Sequence, residues 1–276
     1  METTHKLRFE SPSFFQRLKG MLGVDFYRLF HTPMFYIFLA IAAIIPALIL
    51  GTTGMPGPDG TVTEPLYTNT WHIIAAESPL YVVNSIAEYA NMNMVFIFGG
   101  IMVSIFIGHD YKSGYVKQLF TTHAKKQDYM MSKTITCAFA MACMCITYLL
   151  GGMAAGLLVG ASFKANIGSL IFAVLGKMVM SLGWASLYTF LNIIFRRYFG
   201  ISIASSFFFG TGILIIGMAA IFGNSSVLNI FLYGSSVFAC LSSNFMTLLV
   251  CLVVSVVWAL IYNLLGTLIL SKCDVY

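Results

Sequence analysis

The sequence predicts an all-α membrane protein, a polytopic helical bundle with about six transmembrane helices and an amphipathic interfacial helix near the N-terminus. Of its 276 residues, 59% are hydrophobic and only 9% are charged, whereas a soluble domain carries about 25% charged residues. Apolar runs close to the roughly 20 residues that a membrane helix needs recur along the chain. Lipid must therefore be the solvent for much of this protein.

Six apolar runs are predicted to span the membrane. The first two are short, and the third and fourth are longer than one crossing requires. The runs are Met34–Leu50, Met92–Gly108, Thr134–Phe163, Ile167–Phe195, Phe199–Phe222 and Phe245–Leu270. Five or seven spans are the alternatives, because the regions 167–195 and 222–245 can be divided differently.

Lysine and arginine residues indicate how these spans are oriented. In the successive segments outside the spans they number 5, 0, 5, 1, 2, 0 and 1, from the N-terminus to the C-terminal tail. Because Lys and Arg concentrate in cytoplasmic segments, this alternation places both termini in the cytoplasm. We expect a multi-pass protein of a bacterial plasma membrane.

This topology divides the chain into three parts. Residues 1–33 form a cytoplasmic N-terminus, 34–270 the transmembrane domain and 271–276 a cytoplasmic tail. Within the transmembrane domain, 51–91 is a long outer loop and 109–133 is a long cytoplasmic loop. The outer loop is rich in turn-forming residues, and it could act as a lid, a substrate receptor or a spacer.

The stretch Ser13–Phe30 is typical of a helix that lies on the membrane surface. Its apolar residues recur at steps of three or four, as the period of a helix requires. Among them are Phe15, Leu18, Leu22 and Phe26. Asp25 and Arg28 are predicted on the other faces. The helix is either a simple anchor or an elbow that positions a partner at the cytoplasmic interface.

Small residues at four-residue spacing mark two helix faces. Gly152, Gly156 and Gly160 leave one face of the third span nearly flat, so that another helix can approach closely. A weaker repeat lies in the fifth span and consists of Ser202, Ser206 and Gly210. Internal packing explains both repeats, and a dimer interface or a mobile packing surface is the alternative.

Lys177 is the one charged residue well inside an apolar run. A charge at the middle of a bilayer costs about 2.5–3.5 kcal/mol, so such residues usually face a substrate path or a partner. The alternative is that residues 167–176 lie at the outer interface and the span begins near Lys177. A substrate-path residue and an interfacial residue are both compatible with the sequence.

No motif for catalysis or cofactor binding is present. The sequence has no GxxxxGK[ST] phosphate loop, no HExxH pair and no GxSxG motif, and Gly176-Lys177 is followed by Met178. The six cysteines form no CxxC pair. We therefore expect no catalytic residue, metal site or cofactor in this chain. The basic residues are explained by membrane topology, so nucleic-acid binding is not expected.

The cytoplasmic loop 109–133 is the most informative segment. Tyr115, Val116, Leu119 and Phe120 are predicted to share one side of a short helix. We expect nothing else in the chain to cover this side. An exposed apolar patch of this kind predicts a docking surface for a partner, and packing on lipid headgroups is the alternative.

This loop resembles the loop between the second and third spans of type-2 ATP-binding-cassette (ABC) permeases. Members of that family carry an acidic residue, a glycine, a short amphipathic helix, a basic turn and an aromatic-rich Ser-Lys segment before span three. The matching positions are Asp110, Gly114, Tyr115–Phe120, Lys125–Lys126 and Tyr129–Lys133. The basic turn Arg196-Arg197 and the short polar tail are similar as well.

The resemblance implies one half of a transporter. In that family the loop docks into a separate ABC ATPase subunit, which would bind ATP and Mg²⁺, and two permeases, identical or homologous, pair with two ATPases. Asp110, Gly114 and the helix Tyr115–Phe120 would then couple ATP hydrolysis to the spans. Compact members often export peptides such as bacteriocins and other antimicrobial peptides, lipids or small toxic compounds. The long loop 51–91 departs from the family, so the resemblance does not give the substrate.

Three other functions fit parts of the sequence. A peptide-sensing or immunity subunit would bind an external peptide through loop 51–91. A stand-alone carrier would use Lys177, although it would need more ionisable residues in the spans. An intramembrane enzyme would need clustered polar residues at depth, which the sequence does not contain.

Overall fold

The fold is built from α-helices. A computed structural model describes residues 12–52, 86–121, 124–159, 167–211, 230–241 and 244–272, and these ranges contain helices and no β-strand. In chain order the helices are α1 (Phe14–His31), α2 (Pro33–Thr52), α3 (Ile86–Lys112), α4 (Tyr115–Thr121), α5 (Lys126–Val159), α6 (Ile167–Ile194), α7 (Phe199–Gly210), α8 (Leu232–Leu241) and α9 (Phe245–Lys272). The predicted all-α class is confirmed.

Four of these helices are long and apolar enough to cross a membrane alone. Their apolar segments are Val95–Lys112, Lys126–Ala155, Val174–Ile194 and Phe245–Lys272. Helix α2 supplies a fifth crossing when it is taken together with α1, from which it is bent by 65°. The shorter apolar helix α7 covers the first half of another predicted span, and residues 212–222 of that span lie outside the described residues. The protein is a polytopic helical bundle.

Helices α3 and α5 extend beyond their predicted spans into the predicted cytoplasmic loop. Helix α3 continues to Lys112, and α5 begins at Lys126, so both enter the predicted loop 109–133. The connection between them shrinks to residues 113–125, of which α4 forms the middle. The added segments carry charged residues, so a prediction from apolar residues alone makes both helices too short.

Helix α6 lies at the centre of the bundle and α9 at its edge. In the apolar segment of α6, 67% is buried, compared with 17% in α9. Trp184 of α6 stacks on Phe96 of α3 and on Tyr188, in both cases with ring centroids 5.5 Å apart. Because α9 buries only one narrow side, most of its apolar surface is available to lipid or to another protein.

A buried polar network joins α3, α6 and α7 near one end of the bundle. Asn192 of α6 donates a hydrogen bond from Nδ2 to Ser104 Oγ at 3.1 Å and accepts one at Oδ1 from Ser202. The hydroxyls of Ser104 and Ser206 lie 2.8 Å apart. The small-residue repeat of α7 therefore packs internally against α3, as one interpretation of the sequence predicts.

Helices α2 and α5 make a close backbone contact at Gly151. A Cβ atom there would collide with the carbonyl oxygen of Ala43, so the two helix backbones touch. The sequence prediction selects Gly152, Gly156 and Gly160 instead. Gly152 is buried, whereas the surroundings of Gly156 and all of Gly160 lie outside the described residues. The close approach that the structure does describe begins one residue before the predicted stripe.

Candidate functional site

Charged residues from three helices meet at one end of the bundle. This end, which we call the basic end, is where α3 finishes and α5 begins. It carries Lys112, Lys125, Lys126, Arg196 and Arg197. Inside it lies a group of four residues that we call the ion cluster. The ion cluster consists of Asp25 and Arg28 from α1, Asp110 from α3 and Lys133 from α5.

Lys133 is the centre of the ion cluster. Its Nζ lies 2.6 Å from Oδ1 of Asp25 and 2.6 Å from Oδ2 of Asp110. Nη2 of Arg28 lies 2.5 Å from the other oxygen of Asp110. Ser132 donates its hydroxyl to Oδ2 of Asp25 at 2.6 Å. Lys133 and both aspartates are at most 1% exposed, so the low-dielectric surroundings strengthen these contacts.

The ion cluster carries no net charge, because two carboxylates face two cations. Aromatic rings shield the cations further. The guanidinium carbon of Arg28 lies 4.2 Å from the ring centroid of Tyr115, and Lys133 Nζ lies 4.7 Å from that of Phe106. The pKa of the Tyr115 phenol is raised, mainly by partial burial and next by the nearby Asp25 carboxylate. Tyr115 therefore adds no charge to the ion cluster.

Two further contacts fix the start of α5 to its neighbours. Arg17 of α1 donates from Nε to Oδ2 of the buried Asp128 at 2.7 Å. Lys126 donates from Nζ to the carbonyl oxygen of Leu270, near the end of α9, at 2.5 Å. The first turns of α5 are therefore attached to both the N-terminal helix and the last helix.

Helix α1 begins at a capping box and turns an acidic residue inward. Ser13 accepts from the backbone N–H of Gln16, whose side chain accepts from the backbone of Ser13 in return. The residues buried on this helix are Leu18, Asp25 and Leu29, spaced seven and four residues apart. This spacing keeps them on one helix face. The prediction that Asp25 lies away from the buried face is wrong, because its charge is neutralised by Lys133 from another helix.

The predicted apolar residues of α1 are divided between two surfaces. Leu18 is buried, and Leu22 and Phe26 are half-buried. Phe26 contacts Phe139 of α5 edge to face, with ring centroids 5.2 Å apart. Phe15 is 78% exposed. Helix α1 thus packs on α5 with one side and leaves an apolar side outward, as expected of a helix in the membrane interface.

A glycine forms the turn between α3 and α4. Gly114 has a φ of +72°, in the left-handed region that residues with a Cβ rarely adopt. The backbone N–H of Ser113 donates to the carbonyl of His109 at 2.9 Å, which closes the end of α3. The turn starts α4 directly beside Asp110 and brings Tyr115 over Arg28. The sequence-predicted positions Asp110, Gly114 and Tyr115 are therefore neighbours in space.

The apolar side of α4 is covered by the protein itself. Val116 is 1% exposed, and Leu119 and Phe120 are half-buried beside it. The buried residues of this small core are Val116, Tyr129, Met130, Ile193 and Leu270. The prediction of an uncovered apolar patch is therefore wrong, because α5, α6 and α9 supply a cover from distant parts of the sequence. The exposed residues of α4 are Lys117, Gln118 and Thr121.

Replacing Val116 with alanine should lower the free energy of unfolding by about 1–2 kcal/mol, because it removes two buried methyl groups from this small core. The matched control is Thr121→Ala on the exposed side of the same helix, which should change stability by less than about 0.5 kcal/mol. Thermal unfolding of both variants in mild detergent measures the difference. Equal stability of the two variants would show that α4 does not rest on the bundle.

Lys177 is buried in α6, far from the basic end along that helix. Its Nζ lies 5.9 Å from the ring centroid of Tyr148 in α5. Helix α6 begins at Ile167, so Lys177 lies ten residues after its start. The substrate-path and interfacial interpretations of Lys177 both stay predictions.

The ion cluster was only partly visible in the sequence. The family pattern selects Asp110 and Lys133, but not their partners Asp25 and Arg28. The available signal was the seven-residue spacing that places Asp25 in line with Leu18. Each carboxylate of the ion cluster is paired with a cation, so the cluster joins helices and offers no free base. No group of three or more potential metal ligands occurs among the residues that the structure describes.

A comparison with known protein families gives a match. The model described as "ABC-2 family transporter protein" matches residues 22–211. The matched segment runs from α1 through α7 and therefore contains the whole ion cluster and α4. A comparison with curated proteins finds no match. With more than half of its length matched and a polytopic helical fold, the chain belongs to the ABC-2 transporter family and is a membrane-spanning subunit of an ABC transporter.

Proposed function

We propose that this chain is the permease of an exporter that is driven by a separate ABC ATPase subunit, and that its basic end faces the cytoplasm. ATP and Mg²⁺ would bind to the ATPase. The ion cluster is the observation that carries the proposal, because it joins the interfacial helix α1 and the end of α3 to the membrane-spanning helix α5. A motion of α4 or α1 would therefore be passed on to the membrane-spanning helices, because the ion pairs hold these helices together.

The ATPase would contact the exposed side of α4. Lys117, Gln118 and Thr121 lie on this side, whereas Val116 anchors the opposite side to α5, α6 and α9. Of the residues predicted from the sequence, Leu119 and Phe120 would act as supports for α4 and Asp110 as its attachment. A force applied to the exposed side would press on three helices at once.

The transport path would form between this chain and a second permease, either identical or homologous. The outer surface of α9 is apolar and largely exposed, which suits either a partner helix or lipid. Movement along the close α2–α5 contact, or along the Gly152/Gly156/Gly160 face, would open the path. The expected cargo is a peptide such as a bacteriocin, a lipid or a small toxic compound, and Lys177 would line its route.

Co-purification from the native membrane tests the coupling proposal. We expect the wild-type chain to retain a stoichiometric soluble ATPase in mild detergent. Gln118→Trp, which places a bulky ring on the exposed side of α4, should reduce the retained ATPase at least tenfold. The same change at the exposed Gln127, at the start of α5, is the matched control and should leave the ATPase bound.

Both glutamines are exposed, so neither substitution should disturb folding, and a loss of ATPase would report on docking alone. Retention of the ATPase by the Gln118→Trp variant would contradict docking on α4. Absence of any ATPase from the wild-type preparation in several detergents would contradict the permease proposal itself.

A further inference from the structure

An open cavity of about 250 Å³ lies at the basic end between α3, α6 and α7. Its lining includes Lys112 at the end of α3 and the turn Arg196-Arg197 between α6 and α7. Asn192 and Ser202 also line it, and both are buried and hydrogen-bonded to each other. The cavity therefore combines a polar interior with three cationic side chains.

Aromatic rings shape the rim of the cavity. The ring of Phe199 lies against α3, because Gly108 has no side chain at the point of contact. Lys112 Nζ lies 4.8 Å from the centroid of the same ring. This cation–π contact holds the lysine at the edge of the cavity while it stays exposed.

No acidic side chain lines the cavity among the residues that the structure describes. The sequence contains no aspartate or glutamate between Asp128 and Asp274. The acids described at the basic end are paired with other cations. Asp25 pairs with Lys133, Asp110 with Arg28, and Asp128 with Arg17. The charged side chains described in the lining are therefore all cationic, which favours an anion as the ligand.

The surroundings of the cavity favour a lipid as the source of that anion. The cavity lies where membrane-spanning helices end, which is the depth of the headgroups. Helix α7 starts at its rim and presents exposed apolar side chains along its outer side, including Ile201 and Phe208. Basic pockets between membrane helices are a known type of site for phosphate headgroups.

We propose that this cavity binds the phosphate group of an anionic membrane phospholipid. Lys112, Arg196 and Arg197 supply the positive charge, and the acyl chains lie along the outer side of α7. The proposal does not depend on the ATPase partner, since the binding site is complete within this chain.

Native mass spectrometry of the purified full chain tests the site with phosphatidylglycerol as the probe. We expect phosphatidylglycerol to bind at least tenfold more tightly than phosphatidylcholine. Each charge near the membrane surface contributes about 1 kcal/mol, so the R196Q/R197Q variant should bind phosphatidylglycerol roughly 30-fold more weakly. The control K125Q/K272Q removes the same charge from exposed residues outside the cavity and should change binding less than twofold.

Equal weakening by the two double variants would overturn the proposal, because the binding would then be a general effect of surface charge. Displacement of the lipid by millimolar inorganic phosphate would also overturn it, since the site would then take soluble anions. If R196Q/R197Q does not purify as a folded protein, a substitution of the exposed rim residue Lys112 gives the same test. Lys112→Gln should weaken binding about fivefold, and unchanged binding would contradict the assignment.

Discussion

Replacing Lys133 with methionine should lower the free energy of unfolding by about 3–5 kcal/mol, the largest effect that we expect from a single charged residue here. Lys133 is fully buried and is the shared partner of Asp25 and Asp110. Its removal leaves two carboxylates inside the protein with one cation, Arg28, between them. Thermal unfolding in detergent should show a decrease in Tm of roughly 10 °C.

A second substitution provides the control. In the K133M/D25N variant the buried charges balance again, because Arg28 still pairs with Asp110. We expect this double variant to recover at least half of the lost stability. A double variant that is less stable than K133M would contradict charge pairing as the source of the effect and would indicate that lost packing around Lys133 is responsible.

Replacing Gly151 with alanine should also destabilise the protein, by about 1–3 kcal/mol, although alanine is normally the better helix former. The new methyl group would collide with the carbonyl oxygen of Ala43. Because the obstacle is backbone and not a flexible side chain, α2 and α5 would have to separate. Thermal unfolding of the purified variant measures the effect.

The chain offers a matched control for this substitution. A Cβ at Gly23, on the exposed side of α1, would meet nothing within 4 Å. Gly23→Ala should therefore stabilise the protein by up to about 1 kcal/mol, as alanine does in an unobstructed helix. Opposite signs at the two positions are the expected result. A stabilising effect at Gly151 would show that the α2–α5 contact is looser than the structure indicates.

Composition alone was sufficient for the fold class, because 9% charged residues cannot cover a soluble surface of this size. The interiors of the apolar runs were also predictable. The C-terminal end of α3 and the N-terminal start of α5 were not predictable, because a hydropathy scale treats every charged residue as one that must face water. Asp128 and Lys133 lie in the first turns of α5 and are buried, because residues of α1 and α3 neutralise them.

The candidate site was predictable only where local pattern determines it. The turn at Gly114 and the short helix α4 follow from residues close in sequence. The burial of Val116 depends on Ile193 and Leu270, which are far away in the chain and carry no signal of this contact. The same limit applies to Gly151, because a flat helix face does not reveal the register of the helix that packs on it.

The ion cluster has a consequence for how the protein is made. Asp25 and Lys133 are separated by 108 residues, and synthesis proceeds from the N-terminus. Helix α1 leaves the ribosome before α5, and its buried carboxylate has no ammonium partner until the start of α5, which carries Lys133, has been translated. During that interval Asp25 must stay hydrated, so α1 is synthesised before α5 but reaches its buried position only afterwards. A nascent chain that ends before Lys133 would keep the Asp25 carboxylate without the cation that neutralises it in the finished chain.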